Sequence, residues 1–206
     1  MGTLRKPLPR TLTLRNGVEL PSVGLGTFRA QDDDARNAVV SALRLGLRHI
    51  DTASIYKNEG PIREALVVSG VPRGDVFVTS KVSPYEQGAG RARTAVEAIM
   101  ERIGVQYLDL VLVHWPGVSR VAPDSPLNAQ MRWETWQELE RLYSEGRVRA
   151  IGVSNYEERH LQELVGRAAV KPMVGPRTEG RWTAPGGDLS TPHERRTTCE
   201  SVRGAP

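Results

Sequence analysis

Three apolar runs, each closed by an ionisable side chain roughly 30 residues after the last, limit what this chain can fold into more than any other feature, since that interval is the length of one βαβ unit. Residues 49–51 read as a buried strand ending at Asp51, residues 76–80 as one ending at Lys81, and residues 108–113 as one ending at His114. Parallel strands covered on both faces read as near-continuous apolar runs. When they close into a barrel, all their C-terminal ends open on one face, and catalysis sits there. Tyr56 follows on the loop after Asp51, so a carboxylate, a phenol, an ammonium and an imidazole are set to share one mouth. Singly, each has a plainer meaning: a strand-end cap, a loop aromatic, a solvated lysine, a histidine satisfied by backbone. Their joint placement at strand ends points to a site.

The rest of the chain fills in around these strands. Residues 11–14 and 18–20 alternate around Asn16-Gly17, a pair that favours a type I′ hairpin turn because both central positions need positive φ. A short strand over 22–27 follows. Its Gly24 and Gly26 invite a dinucleotide-fingerprint reading, but Arg29 stands where the third glycine belongs, which argues against a Rossmann site. Asp32, Asp33 and Asp34 start a helix whose Ala35, Ala38, Val39, Ala42 and Leu43 recur at helical spacing until Gly46. Pro61 and Gly70 bracket a second helix. Val96, Ile99 and Ile103 line a third, closed by Gly104; Trp133, Trp136 and Leu139 line a fourth, closed by Gly146, with the tryptophans read as a face packed on the sheet. Residues 149–155 form a fifth strand leading into a helix over 157–165, and Ser154 and Asn155 are good N-cap residues for it. Residues 171–174 open a sixth strand, and there the pattern ends. Over 175–206 Gly, Pro, Thr and Arg dominate, and the large apolar residues are Trp182, Leu189 and Val202. Such a segment buries too little to offset its ordering entropy, so a low-order tail is expected.

Six ordered pieces, Gly26-Thr27-Phe28, His49-Ile50-Asp51-Thr52-Ala53, Tyr56 with Asn58-Glu59, Thr79-Ser80-Lys81, Leu112-Val113-His114-Trp115-Pro116 and Ile151-Gly152-Val153-Ser154-Asn155, resemble the aldo-keto reductase family over about residues 10–174. The resemblance implies an α/β fold, the (β/α)8 TIM barrel. It is incomplete here: residues 1–174 supply a hairpin plugging the N-terminal end, about five β/α units and the start of strand six, followed by the tail over 175–206. It implies Asp51, Tyr56, Lys81 and His114 as the catalytic tetrad, and Gly26, Thr27, Asp51, Ser154 and Asn155 as cofactor contacts. Phe28, Tyr85 and Trp115 are then walls of a substrate pocket. It also implies NADPH in preference to NAD, a small carbonyl substrate, and a monomer for the full-length family form.

The residues fit that chemistry. A carbonyl reductase delivers a hydride to carbon and a proton to oxygen, and no side chain supplies a hydride, so a nicotinamide must. A phenol with a pKa near ~10 is a poor donor at neutral pH unless a cation stands beside it. Lys81 is the candidate cation, Asp51 its holder, and His114 the group that orients the carbonyl while Tyr56 acts as general acid.

Composition excludes other classes. Lys plus Arg exceed Asp plus Glu by 28 to 24 with no like-charged block, giving little support to a nucleic-acid partner. One cysteine, Cys199, allows neither an intrachain disulfide nor a cysteine cluster for a metal, and His49, His160 and His193 share no ligand spacing. The N-terminus is short, basic and broken by Pro7 and Pro9, with no apolar stretch for a signal or membrane segment, so a cytoplasmic protein is expected. A complete barrel of this type takes about 250 residues. The resemblance puts the dinucleotide clamp after strands seven and eight, so the 206-residue chain is expected to be a truncated form that binds NADPH weakly or not at all. The competing expectations are a non-catalytic binding or regulatory protein of the same fold, and an inactive truncated product.

Overall fold

The computed structural model describes residues 10–175; the tail expected over 175–206 lies, apart from Gly175, outside the described residues. The chain opens with an antiparallel hairpin, β1 (Thr11–Thr13) and β2 (Glu19–Pro21). Five parallel strands follow in sequence order: β3 (Leu25–Gly26), β4 (His49–Asp51), β5 (Phe77–Val82), β6 (Leu110–Val113) and β7 (Ile151–Val153). Each is followed by a helix: α1 (Asp32–Arg44), α2 (Glu59–Ser69), α3 (Arg91–Ile103), α4 (Pro126–Ser144) and α5 (Glu158–Arg167). These are the five β/α units expected. No helix among the described residues is long and apolar enough to cross a membrane.

Register decides which side chains reach the mouth. Asp51 pairs with Thr79, Lys81 with Leu112, and Val113 with Val153. Side chains alternate between faces along a strand. Ile50, Val78, Val82, Val111, Val113, Ile151 and Val153 therefore point outward, into a core shared with Val39, Ile62, Val96, Ile99, Trp136 and Leu139 of the helices. Phe77, Leu110, Leu112 and Ala150 point the other way and pack on Leu14 and Leu20 of the hairpin, which plugs the N-terminal end. Burying each leucine-sized group there contributes about 1.5–3 kcal/mol. Lys81 stands two pairs above Phe77, and His114 continues the column of Leu110 and Leu112. The polar residues thus cap inward-facing apolar columns, which is why a buried sheet ends in a charged cluster.

Several local expectations are corrected. The hairpin turn is not type I′: Leu14 N–H donates to Val18 O at 2.8 Å and Gly17 N–H to Leu14 O at 2.9 Å, and in this loop only Gly17 (φ 83°) has positive φ. This is a three-residue loop closed by a glycine bulge, for which Asn-Gly serves equally well. Ser154 and Asn155 do not cap α5. Glu157 does, in a reciprocal capping box with His160. The tryptophan face packs as expected: Trp136 is fully buried and donates from its indole to Val170 O at 3.1 Å, and Trp133, partly buried, packs against the same core with Arg167 over its ring, 4.3 Å from the centroid.

Residues 171–174 form no regular strand. They do reach β7 as a sixth strand would, through Met173 N–H to Ile151 O at 2.9 Å and Val153 N–H to Val174 O at 2.8 Å. Gly152 permits this approach, since a Cβ there would stand 2.5 Å from the Val174 carbonyl oxygen.

Candidate active site

Asp51 ends β4, and the backbone beyond it is pinned to its neighbours: Thr52 N–H donates to Thr79 O at 2.9 Å and Thr27 N–H to Asp51 O at 2.9 Å. A single 3-10 turn, Ser54–Tyr56, then lifts Tyr56 over the strand end and closes on Lys57 in the left-handed region (φ 56°). Gln31 donates to the Tyr56 carbonyl at 3.0 Å. Asn58 is fully buried and locks two loops together. Its amide donates to Thr27 O at 2.8 Å and Ala30 O at 2.9 Å, and its oxygen accepts from Thr52 Oγ1 at 2.9 Å. The family-like pattern included Asn58, but its role as a lock is visible only in three dimensions.

The four expected residues meet. Lys81, almost wholly buried, forms an ion pair with Asp51 and donates to Thr52 O at 2.9 Å. Its ammonium lies 5.2 Å from the centroid of the Tyr56 ring. The imidazole of His114 stands edge-on to Tyr56, with ring centroids 5.8 Å apart. Its Nδ1 is buried without a hydrogen-bond partner. Burial, and then the Lys81 charge, push the His114 imidazole down to about 4, against the opposing pull of Asp51 and Glu86. At neutral pH the ring is therefore uncharged, with one donor and one acceptor nitrogen.

Phe28 packs on Tyr56 at 5.1 Å and Trp115 follows His114 at 6.4 Å between centroids; both are more than half-exposed or nearly so, at 64% and 50%. Tyr85 is also exposed, but no ring contact joins it to this cluster, so of the three proposed walls the structure brings two together. Gly26 faces open space, with no atom within 4 Å of where a Cβ would be. Thr27 is buried and commits its hydroxyl to Asp51 O at 3.1 Å. Asn155, held in the left-handed region (φ 58°), donates to His114 O at 2.8 Å and to Ser154 Oγ at 3.0 Å, which ties the end of β7 to the site.

The His114 value predicts a titration. The folded imidazole holds its proton less tightly than the ordinary value of 6.5, so this residue's contribution to stability is whole above pH 6.5 and is lost as pH falls toward about 4. NMR of the His114 ring protons is expected to give a midpoint near 4. A midpoint near 6.5 would mean a solvated ring and an open site.

Five parallel β/α units whose strand ends gather Asp51, Tyr56, Lys81 and His114 are part of a barrel of the kind found in the proteins this chain is similar to. The model of the Aldo/keto reductase family matches residues 22–175. The glyoxal reductase of Bacillus subtilis is 44% identical over 168 residues, covering 81% of this chain and 57% of that protein. The 9,11-endoperoxide prostaglandin H2 reductase of Trypanosoma cruzi is 45% identical over 164 residues, covering 79% and 54%. Among solved structures, an aldo-keto reductase from a deep-sea metagenome library superposes with a TM-score of 0.72 at 41% identity, covering 80% of this chain and 57% of that one. A Bombyx mori aldo-keto reductase in complex with NADP gives 0.71 at 30% identity, covering 80% and 56%. The chain belongs to the aldo/keto reductase family. It spans about half the length of the curated relatives it matches.

Proposed function

We propose that this chain carries the reducing site of an NADPH-dependent reductase of small aldehydes and ketones. The observation that supports this best is the arrangement around Tyr56. An ammonium held by Asp51 stands 5.2 Å from the phenol ring on one side, and a neutral imidazole stands edge-on to it on another, with ring centroids 5.8 Å apart. Tyr56 gives its proton to the carbonyl oxygen. The positive charge of Lys81 stabilises the phenolate left behind, and Asp51 with Thr52 O holds the ammonium in place. His114 hydrogen-bonds the carbonyl oxygen and orients it. Phe28, packed on Tyr56, and Trp115, beside His114, wall the approach of the carbonyl.

The residues present fit a nicotinamide. Gly26 leaves room at the floor of the mouth, Ser154 and Asn155 offer polar atoms to a carboxamide, and Thr27 and Asp51 form the supporting rim. NADPH, the reduced form of the NADP named with the Bombyx mori structure, would supply the hydride when bound.

The test is a titration with NADPH of the purified chain and of a complete-barrel form carrying the same residues 10–175, followed by NADPH consumption with glyoxal and with a simple ketone, alongside circular dichroism. Saturable binding with steady consumption is expected wherever the barrel is complete. A folded chain in complete-barrel form that neither binds nor consumes NADPH would overturn the reading.

A further inference from the structure

The turn that carries Tyr56 is fastened through its first residue. Ser54, buried, donates from Oγ to Glu86 Oε2 at 2.5 Å, and the same oxygen lies 3.2 Å from the Lys81 carbonyl. A hydroxyl has one proton, and the shorter contact to the carboxylate takes most of it. Glu86 Oε2 also accepts from Ser83 N–H at 2.8 Å and Ser83 Oγ at 2.6 Å. One carboxylate oxygen therefore gathers donors from two loops, the turn after β4 and the loop after β5. Hydrogen bonds to an ionised acceptor are shorter and roughly twice as strong as neutral ones. The junction sits directly behind the site, because Ser54 precedes Tyr56 on the turn and Ser83 follows Lys81 and Val82 on the strand. The Glu86 charge also reaches His114, where it opposes the stronger downward push of burial and of Lys81.

We infer that Glu86 is a positioning residue: through Ser54 it fixes the turn against the end of β5 and so sets where the Tyr56 phenol stands relative to Lys81 and His114. This rests on Tyr56 being the proton donor. Glu86 touches no reacting atom. It acts by holding two loops at a fixed separation, one bearing the phenol and the other leaving the strand that bears the ammonium. Asn58 fastens the same turn from the β3 side, so the β5 side is the one Glu86 governs.

Two variants test it. Ser54→Ala cuts the link to the turn while Ser83 still satisfies Glu86, and Glu86→Ala removes the junction. Ser69→Ala is the control, since it deletes a hydroxyl bonded to Leu66 O at the far end of α2, at 2.9 Å. The first readout needs no activity: the NMR cross-peaks between the Tyr56 and His114 rings, whose centroids are 5.8 Å apart in the parent. Both variants are expected to weaken or lose them while melting no lower than the control by more than a few degrees. The second readout is turnover: kcat falls about tenfold to ~10²-fold with KM little changed, the size of effect a misplacement of about 1 Å produces. If Glu86→Ala does not fold, Ser54→Ala decides alone. Unchanged ring cross-peaks and unchanged kcat in Ser54→Ala would overturn the inference. If the parent, saturated with NADPH, shows the cross-peaks but reduces no aldehyde, the donor reading of Tyr56 falls, and the cross-peak comparison still decides whether Glu86 positions the turn.

Discussion

Tyr56→Phe is expected to lower carbonyl reduction by about 10²–10⁴-fold, the range a positioned general acid supplies, while fold and cofactor affinity stay close to the parent's. The contacts that hold the side chain belong to its ring: Phe28 at 5.1 Å, His114 at 5.8 Å and the Lys81 ammonium at 5.2 Å. All three survive removal of the hydroxyl. What disappears is the transferable proton, an interaction used only in the transition state, so the loss appears in kcat rather than KM. His114 cannot take over. With its imidazole held down to about 4, roughly one ring in a thousand is protonated at pH 7. Steady-state kinetics at saturating NADPH, with melting curves for both proteins, check this. A Tyr56→Phe protein with normal turnover would sink the assignment.

The strand ends were legible in the sequence because they follow a local rule. A buried parallel strand is an apolar run, and the polar residue that breaks it marks the mouth. Asp51, Lys81 and His114 could be placed from that alone, and helix ends such as Gly70 (φ 65°) and Gly104 (φ 76°) from the conformational freedom of glycine. The junctions between loops were not legible. Ser54 and Glu86 are 32 positions apart, and Asn58 and Thr27 31; no spacing marks such pairs, because the backbone brings them together only once neighbouring strands have paired. Turn type was misjudged for a different reason, since Asn-Gly suits two hairpin geometries and the alternation around it does not choose between them. The cap of α5 was placed two residues early because Ser154 and Asn155 have cap chemistry. Asn155 spends its amide on the His114 carbonyl, leaving Glu157 and His160 to start the helix.

One signal was present and unread: a charged residue, Asp109, inside the apolar run 108–113. A carboxylate that is 1% exposed must be paired, and Asp109 is paired three times. Its Oδ2 accepts from Arg73 at 2.8 Å and from Val78 N–H at 2.9 Å, and its Oδ1 accepts from Arg149 at 2.7 Å. The carbonyl of Arg149 in turn takes the Asn16 amide at 2.8 Å, tying in the hairpin loop. This junction closes the N-terminal end of the sheet, ~15 Å down the strand from His114.

Asp109→Ala is expected to destabilise the protein by roughly 3 kcal/mol. Breaking a buried ion pair by removing one partner is costly, and the buried Val78 amide is left unpaired, although the partly solvated arginines recover some hydration. For a domain of this size that lowers Tm by about 10 °C. Asp109→Asn keeps an acceptor for Val78 and should lose about half as much. The two ends of the barrel then separate cleanly: Tyr56→Phe loses chemistry and keeps stability, whereas Asp109→Ala loses stability and, below its melting point, keeps the low His114 midpoint. Thermal melts of both Asp109 variants with the His114 NMR titration decide it. An Asp109→Ala protein melting within a degree or two of the parent would show that this triple pairing contributes nothing net to the fold.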